Sequence, residues 1–251
     1  MAEGDTILRT ARRIGTALEG RGVEVEPRGR GRAVDLGGLR EGRLERVEAR
    51  GKHLLLHFEE LVLHSHLGMS GSWQVGRRGA PWRKPASSAW LVLRGERSEA
   101  IQFGGPTLRA LTPARLRTDP VLSRLGPDVL APDLDLDAVV ASLRSNPARD
   151  LGDALLDQRL VAGIGNIFKS EACFAAGVSP WRPVGSIGDS ELRAVVEAAR
   201  GLMGASVEGG RARAAVYRRA GRPCPACGTA VSARGQGDSN RRTYWCPRCQ
   251  S

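Results

Sequence analysis

The sequence predicts an α+β protein: an N-terminal helix with a β layer, a helical domain, and a small C-terminal module stapled by metal. Three patterns carry that prediction. Apolar residues recur at helical spacing in the first twenty residues and again beyond Gly126-Pro127. Short β-like stretches broken by glycine fill the interval from Val23 to about Leu111. Two Cys-x-x-Cys pairs close the chain.

In the first helix Asp5 and Thr6 offer caps, and Ile7, Leu8, Ala11, Ile14 and Leu18 recur on one face. Strand-like stretches follow at 32–36, 53–58, 61–66, 72–75 and 90–93. Many short strands with Gly and Pro turns indicate a sandwich or barrel-like layer. Residues 77–88 are basic and small, have no periodicity, and read as a loop. Farther on, Asp137 can cap a short helix carrying Val139, Val140 and Leu143, and Asp150 a second with Leu151, Ala154 and Leu155. A third runs from about Asn166 to Ala176, and Asp189 opens a longer one carrying Leu192, Val195, Val196, Ala199, Leu202 and Met203. Residues 204–210 read as a linker. The expected domains are 1–130, 131–210 and 211–251.

At 251 residues, 41% apolar and 26% charged, the chain is globular rather than disordered. No apolar run approaches the roughly 20 residues of a membrane helix, so no membrane is expected. The first twenty residues lack an apolar signal core, so the expected location is cytoplasmic. Basic groups outnumber acidic ones 38 to 27, which suggests a polyanionic partner. Only Lys52, Lys84 and Lys169 are lysines, and such an arginine bias can reflect genome composition. Where the charge lies is more informative. Residues 201–251 hold nine arginines against Glu208 and Asp238, whereas 119–160 hold eight aspartates and four arginines. A basic tail on a nearly neutral body fits a phosphate-contacting surface.

Cys224-Pro-Ala-Cys227 and Cys246-Pro-Arg-Cys249 are separated by 18 residues. Each turn can bring two thiolates onto one tetrahedral zinc, which would stabilise a module too short for its own core. Disulfides do not fit a chain without an export signal. Cys173, inside a helix, reads as a buried small hydrophobe. Between the pairs lies a hairpin with Arg241 and Arg242 near its tip, either a rigid carrier of arginine to phosphate or a solubilising turn. The run Gly163-Ile-Gly-Asn166 before a helix is either a phosphate seat or a tight helix–helix turn. All four histidines fall between 53 and 66, and the alternating His64 and His66 can bind metal; His53 and His57 lack acidic or thiol partners at ligand spacing, so the four read as satisfied strand residues. Met69, between Gly68 and Ser70-Gly71, reads as an exposed apolar tip able to wedge between bases. Lys52, at a strand start, is either a catalytic amine or a surface lysine.

Together these segments resemble the Fpg/Nei (formamidopyrimidine-DNA glycosylase/endonuclease VIII) family almost end to end. Met1-Ala2-Glu3-Gly4 is similar to its Met-Pro-Glu-Gly opening, Arg50-Gly-Lys-His to its lysine turn, and His66-Leu-Gly-Met-Ser-Gly to its intercalation loop. The run from Gln158 to Glu171 is similar to the helix–two-turn–helix signature, and the C-terminus to the zinc finger ending in Cys-Gln. Ser72-Trp73 and Tyr244-Trp245-Cys246 look closer to the endonuclease VIII-like branch of actinobacteria.

The resemblance implies a β-sandwich, a helix–two-turn–helix domain and a zinc-finger hairpin. It implies a monomeric, nucleoid-associated base-excision-repair glycosylase with abasic-site lyase activity, acting on damaged DNA and carrying one structural zinc. Ala2 would attack C1′ of the damaged nucleotide through its α-amine, and Glu3 would handle protons at the sugar. Lys52 would donate a proton during β-elimination, and Arg241 would support δ-elimination. Asn166, Arg242 and Met69 would contact DNA, and Glu171 would support the site. An α-amine with a pKa near 7.7–8.0 is about a tenth unprotonated at neutral pH, far more than lysine, so it can form the Schiff base. The base must leave the stack first. Two departures stand out: Ala2 replaces proline, and Gln102 replaces the arginine of the Fpg branch in Ile101-Gln-Phe-Gly104. The second favours oxidised pyrimidines or abasic sites over 8-oxoguanine; the first leaves open a damaged-DNA-binding relative with weakened or lost lyase chemistry.

Overall fold

The computed structural model describes residues 2–210, 213–237 and 240–250. The chain divides into two compact units, Met1–Arg124 and Leu125–Ser251.

In the first unit, helix α1 (Gly4–Leu18) is capped two to three residues before its expected caps. Glu3 is the N-cap, and its carbonyl accepts from the Thr6 and Ile7 amides, which leaves Asp5 and Thr6 inside the first turn. Nine strands follow: β1 (Arg21–Pro27), β2 (Glu41–Leu44), β3 (Arg46–Arg50), β4 (His53–His57), β5 (Val62–His66), β6 (Ser72–Arg77), β7 (Ala89–Arg94), β8 (Ser98–Phe103) and β9 (Thr107–Leu111). They form an antiparallel five-stranded sheet in the order β2-β1-β7-β8-β6 and a four-stranded sheet in the order β3-β4-β5-β9. Ile7, Ala11, Ile14 and Leu18 of α1 share one core with Val23 and Val25 (β1), Leu54 and Leu56 (β4), Leu63 (β5), and Leu91 and Leu93 (β7). Burial of that face fixes strand register, because a slip of one residue would turn every core side chain outward. Helix α2 (Pro113–Arg117), capped by the Thr112 hydroxyl, closes the unit.

The stretch 32–36, expected as a strand, lies partly in a 3₁₀ turn, Gly29–Ala33. The turn presses on Trp90: a Cβ on Gly31 would overlap the Trp90 carbonyl. Backbone contact at that distance replaces ladder pairing.

The second unit holds α3 (Leu136–Arg144), α4 (Leu151–Ala154), α5 (Asn166–Ala175) and α6 (Asp189–Val207). Their buried faces meet in one cluster that includes Leu143, Leu155, Ile164, Cys173, Val195 and Met203. Asp135, not Asp137, caps α3, accepting from the Asp137 and Ala138 amides at 2.8 and 3.1 Å. Helix α6 continues through Gly204 to Val207, so the expected linker begins later. The C-terminal hairpin pairs β10 (Ser232–Gln236) with β11 (Arg241–Trp245), Ser232 facing Trp245 and Gln236 facing Arg241. No helix among the described residues is long and apolar enough to cross a membrane.

Candidate functional site

In the first unit the amino-terminal residues meet the Met69 loop. The Ala2 amide nitrogen lies 3.4 Å from the Gly68 carbonyl, and Glu3 beside it is only 1% exposed. The loop between β5 and β6 is closed by the Gly71 amide donating to the Leu67 carbonyl at 2.9 Å. A Cβ on Gly71 would come within 2.5 Å of that same oxygen, so the closure requires glycine. Met69 stands 70% exposed on its tip, one of only two exposed large apolar residues among the described ones. Gly51-Lys52 is the two-residue turn between β3 and β4, where Arg50 pairs with His53; Gly51 has φ +57°, and Lys52 is half-buried.

Behind that turn runs a buried polar chain. His53 pairs with His66, and His64 with Arg109, across neighbouring strands, so all four lie on one face of the sheet. Arg109 Nη2 donates to Asp119 at 2.6 Å and Nε to His64 Nδ1 at 3.1 Å; His64 Nε2 is 2.8 Å from His53 Nδ1. A guanidinium can only donate, so His64 Nδ1 must accept and its proton must sit on Nε2. His53 Nδ1 then accepts as well, and its proton sits on Nε2. Burial, then the neighbouring imidazole His64, pushes His53 down to about 3; burial, then Arg109, pushes His64 down to about 4. Both rings are therefore neutral at physiological pH. The sequence reading of satisfied strand histidines agrees with this arrangement. It missed Arg109 and Asp119.

Gln102 is fully buried and donates from Nε2 to the Gly104 carbonyl at 2.9 Å. Phe103, 2% exposed, belongs to a cluster with Ala89, Val92 and Ile101. Neither side chain reaches out from the turn.

In the second unit the hairpin hangs on helix α5. Asn166, the first residue of α5, donates from Nδ2 to the Arg242 carbonyl at 2.9 Å. One turn on, Lys169 is fully buried and donates to the Thr243 hydroxyl at 2.6 Å; that hydroxyl donates in turn to Gln236 Oε1 at 2.7 Å. The Glu171 carboxylate accepts three backbone amides, from Ala215, Val216 and Tyr217, at 2.8, 3.0 and 2.7 Å. It fixes the segment that leads into the cysteine module. Arg241 is half-buried and Arg242 exposed at the start of β11. Arg234 lies 3.9 Å above the Trp181 ring.

The ligand atoms of Cys224, Cys227, Cys246 and Cys249 lie within 4.8 Å of one another, with Sγ–Sγ separations of 3.9 Å (Cys224–Cys249) and 3.5 Å (Cys227–Cys246). Tetrahedral coordination at a metal–sulfur distance of about 2.3 Å puts sulfurs about 3.8 Å apart, so the four thiols form a candidate metal centre. Among the described buried hydrophobic residues, Val216 and Val231 join Cys224 and Cys246 in the local cluster. Cys173 lies apart from it, fully buried, its thiol pushed up to about 12 by burial.

Residues 1–106 match the formamidopyrimidine-DNA glycosylase N-terminal domain, and residues 125–216 the formamidopyrimidine-DNA glycosylase H2TH domain. The chain belongs to the formamidopyrimidine-DNA glycosylase family. Within that family it is 41% identical over 267 residues to "Probable endonuclease 8 2" of Streptomyces coelicolor, covering 100% of this chain and 94% of the relative. It is 38% identical over 269 residues to the "DNA-(apurinic or apyrimidinic site) lyase Nei2" of Mycolicibacterium smegmatis, covering 100% and 99%. The Lactococcus lactis formamidopyrimidine-DNA glycosylase, solved with abasic-site DNA, has the same fold: TM-score 0.82 over 99% of both chains at 20% identity. The N-terminal helix, β-sandwich and helix–two-turn–helix domain expected from the sequence are those of this family fold. The H2TH match spans α3 to α6, the helices that carry Asn166, Lys169 and Glu171.

Proposed function

We propose that this chain is a base-excision-repair DNA glycosylase with abasic-site lyase activity, directed at oxidised pyrimidines and abasic sites. The observation that carries the reading is the end-to-end likeness to endonuclease 8 and Nei2 relatives; the similarity of Met1-Ala2-Glu3-Gly4 to the family's opening and of Arg50-Gly-Lys52-His to its lysine turn supports it.

In this reading, removal of Met1 exposes the Ala2 α-amine, which attacks C1′ as the damaged base departs with the glycosidic electron pair. The sugar ring then opens: the C1′–O4′ bond breaks, O4′ takes up a proton, and C1′ is left as a Schiff base with the amine, Glu3 handling protons at the sugar. The Schiff base acidifies the C2′ hydrogen, so that its loss expels the 3′ phosphate. A second elimination, assisted by Arg241, expels the 5′ phosphate, and water releases the enzyme. Lys52, held at the turn before His53, supplies a proton during the first elimination. Met69 fills the space left by the flipped nucleotide. Asn166 has two N–H groups on Nδ2; one goes to the Arg242 carbonyl, and we assign the other to a backbone phosphate. Arg242 contributes charge at the hairpin, and Glu171 acts at one remove, through residues 215–217.

One structural zinc, held by the four cysteines, would keep the hairpin rigid, and no chemical step passes through it. The functional divisions are 1–130 for chemistry, 131–210 for DNA grip, and 211–251 for linker and finger. The protein works as a monomer in the bacterial cytoplasm, associated with the nucleoid. Ala2 supports a second reading, a damaged-DNA binder with weakened chemistry: a primary amine must be protonated as the imine and is less well oriented than proline.

Incision assays on oligonucleotides carrying an oxidised pyrimidine, 8-oxoguanine or an abasic site test the proposal. Cleavage of the first and third substrates is expected. Binding without cleavage of any would leave the second reading.

A further inference from the structure

The polar chain behind the Lys52 turn has a direction. Arg109 donates to Asp119 and to His64, and His64 donates in turn to His53. A guanidinium neither accepts a hydrogen bond nor gives up its proton, so no proton travels along the chain. Arg109 can only set which nitrogen of each ring carries hydrogen. The consequence falls on His53, whose N–H sits on Nε2 and has no hydrogen-bond partner among the described residues. His53 is only 8% exposed, and its ring lies against His66 with centroids 4.7 Å apart. A nearly buried N–H without a partner is costly, and such a group marks a place for a ligand. Burial, then the neighbouring Lys52 ammonium, lowers the pKa of His66, so Lys52 and His66 flank the same end of the chain.

We propose that His53 binds the phosphate that leaves in the first elimination, donating from Nε2 beside Lys52, and that Arg109 is the residue that positions this donor. The inference rests on the repair reading above. A nitrogen locked as a donor suits an anion and rejects a cation. As the C2′ hydrogen is lost, the C3′–O bond breaks and its electron pair stays on the phosphate oxygen. Negative charge therefore grows on the group that the Nε2–H meets, and the hydrogen bond strengthens as the bond breaks. The proton comes from Lys52, and His53 keeps its own. A neutral ring adds this donor beside the Lys52 ammonium without like-charge repulsion.

The test separates Schiff-base formation from elimination, on abasic-site duplex DNA with metal-replete protein in excess. His53→Phe keeps a ring against His66 and removes both nitrogens, whereas His53→Gln restores a donor near the Nε2 position. Initial rates of borohydride trapping read the first step, and single-turnover strand cleavage reads the second. Cleavage by His53→Phe should fall about tenfold, with trapping changed by no more than about twofold. His53→Gln should recover cleavage to within about threefold of the unaltered protein. Imidazole ¹⁵N spectra of the unaltered protein test the chain without any substitution, and should show hydrogen on Nε2 of both His53 and His64. Arg109→Gln/Asp119→Asn removes both charges but keeps hydrogen-bonding groups, and should give mixed tautomers with cleavage reduced about threefold. Unchanged cleavage by His53→Phe, equal losses in trapping and cleavage, or hydrogen on Nδ1 of His64 would overturn the proposal. Failure of the unaltered protein to be trapped or to cleave would overturn the repair reading itself.

Discussion

The two units hold their candidate functional residues by different physical means. In the first, Ala2 and Glu3 lead into α1 and Lys52 and Met69 sit on turns between strands, all on a unit with a large apolar core. In the second, the hairpin with Arg241 and Arg242 is tied to α5 by polar bonds: Asn166 to the Arg242 carbonyl, Lys169 to Thr243, and Thr243 to Gln236. Its own apolar cluster is small. An apolar core tolerates loss of one contact, whereas buried polar bonds and thiolates fail when one partner is removed. The chemistry should therefore be robust, and the grip on phosphate conditional.

Metal removal should break that comparison most visibly. Chelation should abolish hydrogen-exchange protection in 213–250 and lower DNA affinity about 100-fold, with protection in β4, β5 and β7 unchanged; parallel loss in both regions would contradict it. Thr243→Val removes one acceptor of a buried ammonium and the donor to Gln236, and should cost about 2–3 kcal/mol in the second unit, measured by denaturant unfolding. Glu171→Gln keeps the shape but turns one of the two accepting oxygens into a donor, so at least one of the three amides loses its acceptor. It should cost about 1–2 kcal/mol and loosen 215–217 in hydrogen exchange.

The smallest effect should come from acid, and in the first unit. His53 and His64 are held below their unfolded value near 6.5, so the unfolded chain binds more protons as pH falls. Their contribution is complete above about 6.5 and is lost as pH falls toward 4 and then 3. From pH 6.5 to 6.0 the first unit should lose about 1 kcal/mol, about half from each ring, by urea titration at each pH. A His64→Gln variant should lose less over that interval, because one titrating group is gone.

The parts legible in the sequence are those set by local spacing. The α1 stripe, the paired cysteines, the exposed Met69 and the start of α5 at Asn166 all follow from residues a few positions apart. What was hidden depends on partners distant in the chain. Arg109 fixes the His64 tautomer because β9 pairs with β5 in one register, 45 residues away. Lys169 carries no local signal of its burial, and its hydroxyl partner lies on a hairpin 74 residues later. Asp135 took the cap of α3 from Asp137 by a shift of two residues, which propensity alone does not resolve.

The central claim is that the covalent chemistry belongs to the first unit and begins at the Ala2 amine. Borohydride trapping on abasic-site DNA, followed by peptide mass mapping, tests it most directly. The account predicts a reduced adduct on the peptide beginning with Ala2, in metal-replete protein, at a yield below that of a proline variant at this position. An adduct on Lys52 would contradict the assignment of the nucleophile, and no adduct from protein with a free Ala2 terminus would contradict the lyase reading.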